Sequence, residues 1–188
     1  VSKGGGVTTG DFEDGGHGWI TVDADNDGKS WERLTPASVG SGSTATGHDG
    51  SQGWFASNSW ISGTGALTPN NWLISPEETL GGSFSMWARG RDANWPEEHF
   101  GIFVSTTSNT DVSSFTLLGE WTLQSGLWKQ YSVDLSAFAG QTGYIAVRHF
   151  NSTDVFAIDV DDFVLDTDGT ITIEMPVTIT PATVFVRM

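Results

Sequence analysis

Apolar and polar residues alternate with a period of two along much of this chain. Gly82-Ser83-Phe84-Ser85-Met86-Trp87-Ala88-Arg89 sets Phe84, Met86 and Ala88 on one face, the repeat of a half-buried strand. Residues 128–135 alternate in the same way, and shorter apolar runs stand at 72–75, 100–105 and 115–121. Residues 144–150 and 155–160 read as a hairpin whose turn is Asn151-Ser152-Thr153-Asp154. Gly, Ser, Thr and Asn are scattered throughout and disfavour helix interiors, so a turn at 135–139 is the sole helical candidate. Seven or more short strands divided by turn clusters predict an all-β sandwich or barrel. The Gly- and Ser-rich stretch 36–65 predicts a long surface excursion, with short strands around Trp54 and Trp60.

The alternation changes phase once. Phe156, Ile158 and Val160 share one parity, Phe163 and Leu165 the other. A β-bulge near Asp161 reconciles them. Asp161 and Asp162 then point to opposite faces, and a carboxylate beside a core strand is costly unless paired or coordinated.

The chain is expected to comprise linker residues at 1–10, one domain at 11–165 and an extension at 166–188. Within the extension, 171–174, 177–180 and 183–187 alternate as further strands or as the start of a following domain. The opening Val1-Ser2-Lys3-Gly4-Gly5-Gly6 reads as linker, and the chain is expected to be a piece of a longer secreted protein.

Composition narrows the function. Eight Lys and Arg stand against 23 Asp and Glu, for a net charge of −15. Nucleic acids and anionic membranes want clustered positive charge, so neither is expected as a partner. No apolar run approaches the roughly 20 residues of a membrane helix. With no cysteine, disulfides, thiol chemistry and Cys-based zinc sites are excluded. A secreted domain without disulfides needs another clamp, and metal is the expected substitute.

The acids are clustered. Asp11-Phe12-Glu13-Asp14-Gly15 is followed by Asp23-Ala24-Asp25-Asn26-Asp27-Gly28, and Asp159-Val160-Asp161-Asp162 lies in the last hydrophobic strand. Crowded carboxylates on Gly-containing turns are the hard oxygen ligands Ca²⁺ requires. The order Asp23, Asp25, Asp27, Gly28 matches the first half of an EF-hand loop, but Leu34 replaces its closing Glu and flanking helices are missing, so the loop is a calcium candidate without being an EF-hand. Its plain alternative is a solvated Asx turn.

Catalytic arrangements are weak. Glu97, Glu98 and His99, or Glu77 and Glu78, could in principle do acid/base work. Adjacent residues of a strand face opposite ways, and no Ser-His-Asp order is recognisable, so the chain is not expected to be an enzyme. Nine Trp suit binding better. Trp54, Trp60, Trp87 and Trp95 fall in or near loop-like segments with Arg91 between the last two. An indole face stacks on a sugar ring, although Trp is mostly core. These five are the ligand-binding candidates.

Several segments together carry a family likeness. Phe12-Glu13-Asp14-Gly15, Trp19, the Asp23–Gly28 loop and Trp31 resemble the opening of the cleaved adhesin domains, the haemagglutinin-adhesin modules of gingipain-type secreted bacterial proteins. Gly47-His48-Asp49 is similar to their Gly-His-Asn element, and Asn71-Trp72-Leu73-Ile74-Ser75-Pro76-Glu77 to their Asn-Tyr-Leu-Val-Thr-Pro-Glu segment. Asp92-Ala93-Asn94-Trp95-Pro96-Glu97-Glu98-His99-Phe100 resembles their Asp-Ala-Asn-Tyr-x-x-Glu-His-Tyr, and residues 144–150 with Asp154, Asp161 and Asp162 their closing segment. Opening and closing motifs are also similar to eukaryotic MAM domains. The resemblance implies a calcium-binding jelly-roll β-sandwich of two antiparallel sheets without a catalytic role. It implies one cation held by Glu13 and Asp162, with Asp161 adjoining and oxygens from Asp23, Asp25 and Asp27. Asp92 and Glu98 are the candidates for a second. Three functions follow as expectations: an adhesin for glycans or glycoproteins at the bacterial surface or in secretion, a carbohydrate-binding module attached to a secreted hydrolase or peptidase, or a structural spacer among other domains.

Overall fold

In the computed structural model, residues 6–39 and 45–167 are described. Their strands are, in chain order, β1 (Val7–Gly10), β2 (Ile20–Asp23), β3 (Glu32–Leu34), β4 (Trp54–Asn58), β5 (Trp60–Ile61), β6 (Gly65–Ala66), β7 (Asn71–Ile74), β8 (Glu78–Thr79), β9 (Ser83–Gly90), β10 (His99–Ser105), β11 (Thr116–Thr122), β12 (Lys129–Asp134), β13 (Thr142–His149) and β14 (Ala157–Asp166). One four-residue helix, Pro36–Val39, follows β3, and the turn expected near 135–139 is a 3₁₀ turn at Ser136–Phe138. The strand-like pieces expected at 171–187 lie outside the described residues.

The strands form a jelly-roll β-sandwich. The first sheet has the order β12-β9-β14-β4-β3, with β1 on β14; the second has the order β11-β10-β13-β7-β2, with β8 on β13; β5 and β6 make a small separate hairpin. Every pairing is antiparallel. Phe55, Phe84, Met86, Ala88, Ile158, Val160 and Leu165 of the first sheet meet Leu73, Phe100, Ile102, Val104, Ile145 and Val147 of the second in one buried cluster. Removing one such aromatic, as in Phe84→Ala, is expected to cost about 3–5 kcal/mol. The second sheet buries a further cluster on its outer side, with Trp72, Ile74, Phe103, Ala146 and Phe150.

The bulge is where the parity switch puts it. The β14–β9 register shifts between Asp161 and Val164, and Asp162 adopts φ 45°. Ile158 and Val160 before the bulge, and Phe163 and Leu165 after it, are thereby all buried.

Three expectations are corrected. Residues 144–150 and 155–160 are not a hairpin: β13 belongs to the second sheet and β14 to the first. Residues 150–156 cross the sandwich edge, with Asn151 and Asp154 at φ 52° and 56°, a region Asn and Asp tolerate. The 36–65 stretch is not all surface, because β4 runs between β14 and β3 with Trp54, Phe55, Ala56 and Ser57 buried. Residues 7–10 are a paired strand and not linker, each with a partner between Phe163 and Asp166 of β14.

Candidate functional site

Asp159 anchors the outer face of the first sheet. It stands opposite Arg89 on β9 and Ala56 on β4, which puts Trp54 on the same side. The fully buried carboxylate takes Arg89 Nε at 3.2 Å, Arg91 Nη2 at 2.6 Å and Nε at 3.1 Å, and Trp54 Nε1 at 3.2 Å. Trp54 is therefore core and Arg91 is engaged, so neither offers a ligand surface. Trp87 is also covered, because His48 stacks on it at 3.9 Å and 18°.

The same segment of His48 occupies the acids at both ends of the chain. Asp161 Oδ2 accepts from His48 N at 2.9 Å, Asp162 Oδ2 lies 2.6 Å from His48 Nδ1, and Glu13 Oε1 accepts from Gln52 N at 2.7 Å. Gly47 is needed for this approach, since a Cβ there would strike Asp161 Oδ2 and Ser51 Oγ. Burial pushes the Asp161 carboxyl up to about 7, against the N–H groups of Asp162 and His48 that favour its ionised form.

Glu13, Asp161 and Asp162 are thus not gathered around the Asp23–Asp27 loop. Among the described residues, Asp23, Asp25 and Asp27 alone form a group of three or more acidic or imidazole side chains whose ligand atoms all lie within 4.8 Å of one another. Asp23 accepts from Asn26 N and Gly28 N at 2.7 and 2.9 Å, Asp27 from Lys29 N at 2.7 Å, and Asp25 from Asn70 N at 3.2 Å. Against a burial contribution that raises it, the Gly28 and Asn26 N–H groups hold Asp23 below the usual range. Partial burial raises Asp25, and the Asp23 and Asp27 carboxylates add to the rise.

Asp92 and Glu98 do not pair. Asp92 Oδ1 takes Asn94 N at the surface, whereas Glu98 is fully buried, with Oε2 2.9 Å from His149 Nε2 and Oε1 accepting from Ser59 Oγ and Phe156 N. Burial alone would raise this carboxyl, but the hydrogen bond and charge of His149, with Ser59 and Phe156, outweigh it and hold it low. His149 Nδ1 lies 2.8 Å from Ser57 Oγ, which also accepts from Asn71 Nδ2 at 3.1 Å. The Ser57-His149-Glu98 order is that of a hydrolase triad, yet all three residues are 0% exposed, so no substrate reaches the hydroxyl. Sequence reading passed over this network. The signal was parity: Glu98 continues the Phe100, Ile102, Val104 face and His149 the Ile145, Val147 face.

Two of the five ligand candidates do converge. Trp60 and Trp95 line one open cleft of about 430 Å³ with Asp92, Asp154, Val155 and Phe156. Trp95 is 63% exposed, whereas Trp54 is 1% exposed. Phe156 sits 6.2 Å from the Trp60 ring, with the Arg91 guanidinium 5.9 Å over its own ring.

With this geometry in place, the family model of the Cleaved Adhesin Domain matches residues 7–165. The chain belongs to the cleaved adhesin domain family. Hemagglutinin A of Porphyromonas gingivalis is 36% identical over 176 residues, spanning 81% of this chain and 6% of its own length. Gingipain R1 of the same organism is 35% identical over 168 residues, spanning 80% of this chain and 9% of its own length. The chain therefore matches less than a tenth of these long polypeptides. The crystal structure of the K1 cleaved adhesin domain of Lys-gingipain from P. gingivalis W83 superposes with a TM-score of 0.75 at 36% identity, covering 86% of this chain and 98% of that one. A carbohydrate-binding module, TmCBM61 in complex with β-1,4-galactotriose, superposes at 0.52 with 15% identity over 83% of this chain and 94% of that one; at that identity the likeness is one of fold alone. The family match begins at Val7, the first residue of β1. Among the described residues no helix is long and apolar enough to cross a membrane.

Proposed function

We propose that this cleaved adhesin domain is a non-catalytic, calcium-stabilised binding module of a secreted or cell-surface bacterial protein, and that it captures glycans or the glycans of glycoproteins. The observation that carries the reading is the cleft in which exposed Trp95 faces solvent beside Trp60. An indole face stacks on the C–H face of a sugar ring, and the Asp92 and Asp154 carboxylates at the same cleft accept its hydroxyl protons. Their charge disfavours an anionic ring there, so this cleft suits a neutral residue. A spacer has no need of an exposed indole.

Calcium fits the Asp23, Asp25 and Asp27 group. The donors are hard oxygens close enough to share one cation, and the crowding by the Asp23 and Asp27 carboxylates, which adds to the burial-driven rise of Asp25, is what a cation would relieve. The match to short stretches of hemagglutinin A and gingipain R1 supports a place among other domains of a long polypeptide. The burial of Ser57, His149 and Glu98 supports binding without turnover.

The test is calorimetric titration with neutral β-linked oligosaccharides, among them galactotriose and xylohexaose, against the intact domain, Trp95→Ala and Trp60→Ala. Each variant is expected to bind at least roughly tenfold more weakly, as loss of an aromatic anchor implies. Unchanged affinity in both variants would move the site elsewhere, and release of new reducing ends would contradict the non-catalytic reading.

A further inference from the structure

The outer face of the second sheet carries a cation that no described acid neutralises. Arg148 of β13 stands opposite Trp72 of β7. Its guanidinium carbon lies 4.3 Å over the Phe150 ring, 4.9 Å over Trp72 and 5.9 Å over Phe103. Nε donates to Asn70 Oδ1 at 2.8 Å, and the same oxygen accepts from Trp72 Nε1 at 3.1 Å. The plane of the guanidinium is thus supported by aromatic rings and its angle set by Asn70. The other described arginines are occupied: Arg33 by the carbonyls of Phe12 and Glu13, Arg89 and Arg91 by Asp159. No described residue accepts from Nη1 or Nη2 of Arg148, and no described carboxylate lies within 4 Å of it. In a chain of net charge −15, a guanidinium both of whose terminal nitrogens lack a described acceptor is the exception among the described arginines. Partial burial lowers its pKa, yet a guanidinium stays charged at any physiological pH.

This edge faces a pocket of about 390 Å³ whose lining includes Thr68, Asn70, Asn151, Ser152 and Thr153. The planar fork of an arginine matches the two oxygens of a carboxylate, and the hydroxyls and amides around it match the hydroxyls of a ring. We propose that the Arg148 pocket recognises the carboxylate of an acidic sugar residue, of the uronic or sialic acid kind, within the glycan that the domain captures. The inference rests on the glycan reading given above and extends it. The crossover between β13 and β14 joins the two places: residues 150–153 line the Arg148 pocket, and 154–156 line the Trp60 and Trp95 cleft. Thr153 and Asp154 are consecutive, about 3.8 Å apart at Cα. The two sets of lining residues therefore meet in the chain at the Thr153–Asp154 peptide unit.

The experiment compares glucuronic acid-containing oligosaccharides with their carboxyl-reduced counterparts by calorimetry. The intact domain, Arg148→Lys and Thr153→Trp are titrated, the last filling the pocket from an exposed position while leaving the guanidinium in place. The intact domain is expected to prefer the acid by roughly tenfold or more, the scale of a charge-assisted hydrogen-bonded pair. Both variants should bring that ratio to about one, with the melting temperature of Thr153→Trp kept as the control for folding. A ratio near one in the intact domain, or a ratio that survives both variants, overturns the proposal. So does an equal response to a peptide bearing only a C-terminal carboxylate. Neutral-sugar binding that depends on Trp95 but shows no preference for the acid removes this inference and leaves the glycan reading. Acid-selective binding that depends on Arg148 but not on Trp95 does the reverse to the cleft, and binding of no sugar at all removes both.

Discussion

On the outer face of the first sheet, Asp159 is sealed between Arg89, Arg91 and Trp54, and His48 lies over Trp87. On the outer face of the second, Arg148 rests on Phe150 and Trp72 and meets no described acid. Both faces hold an arginine against aromatic rings, since Arg89 also sits 4.6 Å from the Trp128 ring. They differ in whether the charge is answered from within. A buried charge answered by the protein belongs to the scaffold, because breaking it destabilises the fold. A charge left for solvent can be answered by a ligand. By the same measure Trp54 is scaffold and Trp95, at the opposite limit of exposure, is surface chemistry.

The sharpest way to break the comparison is Asp159→Asn, which leaves Arg89 and Arg91 without their carboxylate. We expect a loss of about 3–5 kcal/mol in chemical unfolding, the usual cost of removing one partner of a buried pair. A loss under about 1 kcal/mol would mean the first face is not sealed as described.

Next in size is calcium. Asp25 accepts from Asn70 N, and Asn70 orients Arg148, so a cation at the Asp23–Asp27 loop lies upstream of the second face. Saturating calcium at a hundredfold excess over Kd should stabilise the domain by about 2.7 kcal/mol relative to EDTA, with the gain lost in Asp25→Asn. An equal melting temperature in both conditions counts against calcium at this loop.

Smaller still, per pH unit, is an effect centred on Asp161. Its folded value, about 7, lies above the unfolded value, about 3.9. The unfolded chain therefore ionises first, and the contribution is full below about pH 4 and is lost as pH rises towards 7. The slope attributable to this group is at most about 1.4 kcal/mol per pH unit. Subtracting the stability curve of Asp161→Asn from that of the intact domain in EDTA should reveal it; parallel curves would show that Asp161 is not held protonated by burial.

Smallest is the effect of Trp95→Ala on the fold, expected within about 0.5 kcal/mol because a surface residue is removed. A large loss would place Trp95 among the scaffold residues after all.

The strands with a clean period, β9 and β12, were legible from alternation alone, and so was the bulge, because a parity switch has one economical explanation. β4 was obscured: Trp54-Phe55-Ala56 is buried on both faces and so does not alternate, and it follows a Gly-rich stretch. The supposed hairpin failed for another reason. Two apolar strands joined by a short polar segment look alike whether they pair or cross between sheets, and the choice is made by remote groups such as Glu98, which holds Phe156 N and His149 together. Trp60 and Trp95 were legible as aromatics in irregular segments. That Arg91 and Trp87 are occupied depends on Asp159 and His48 across the sheet. The solitude of Arg148 depends on what does not stand opposite, which a linear sequence does not display.

The most direct test of the central claim is titration of a neutral β-linked oligosaccharide followed by tryptophan fluorescence in the intact domain and in Trp95→Ala. The account predicts a saturable spectral change in the intact domain that Trp95→Ala abolishes while retaining its melting temperature. A saturable change of equal size and affinity in Trp95→Ala would contradict it.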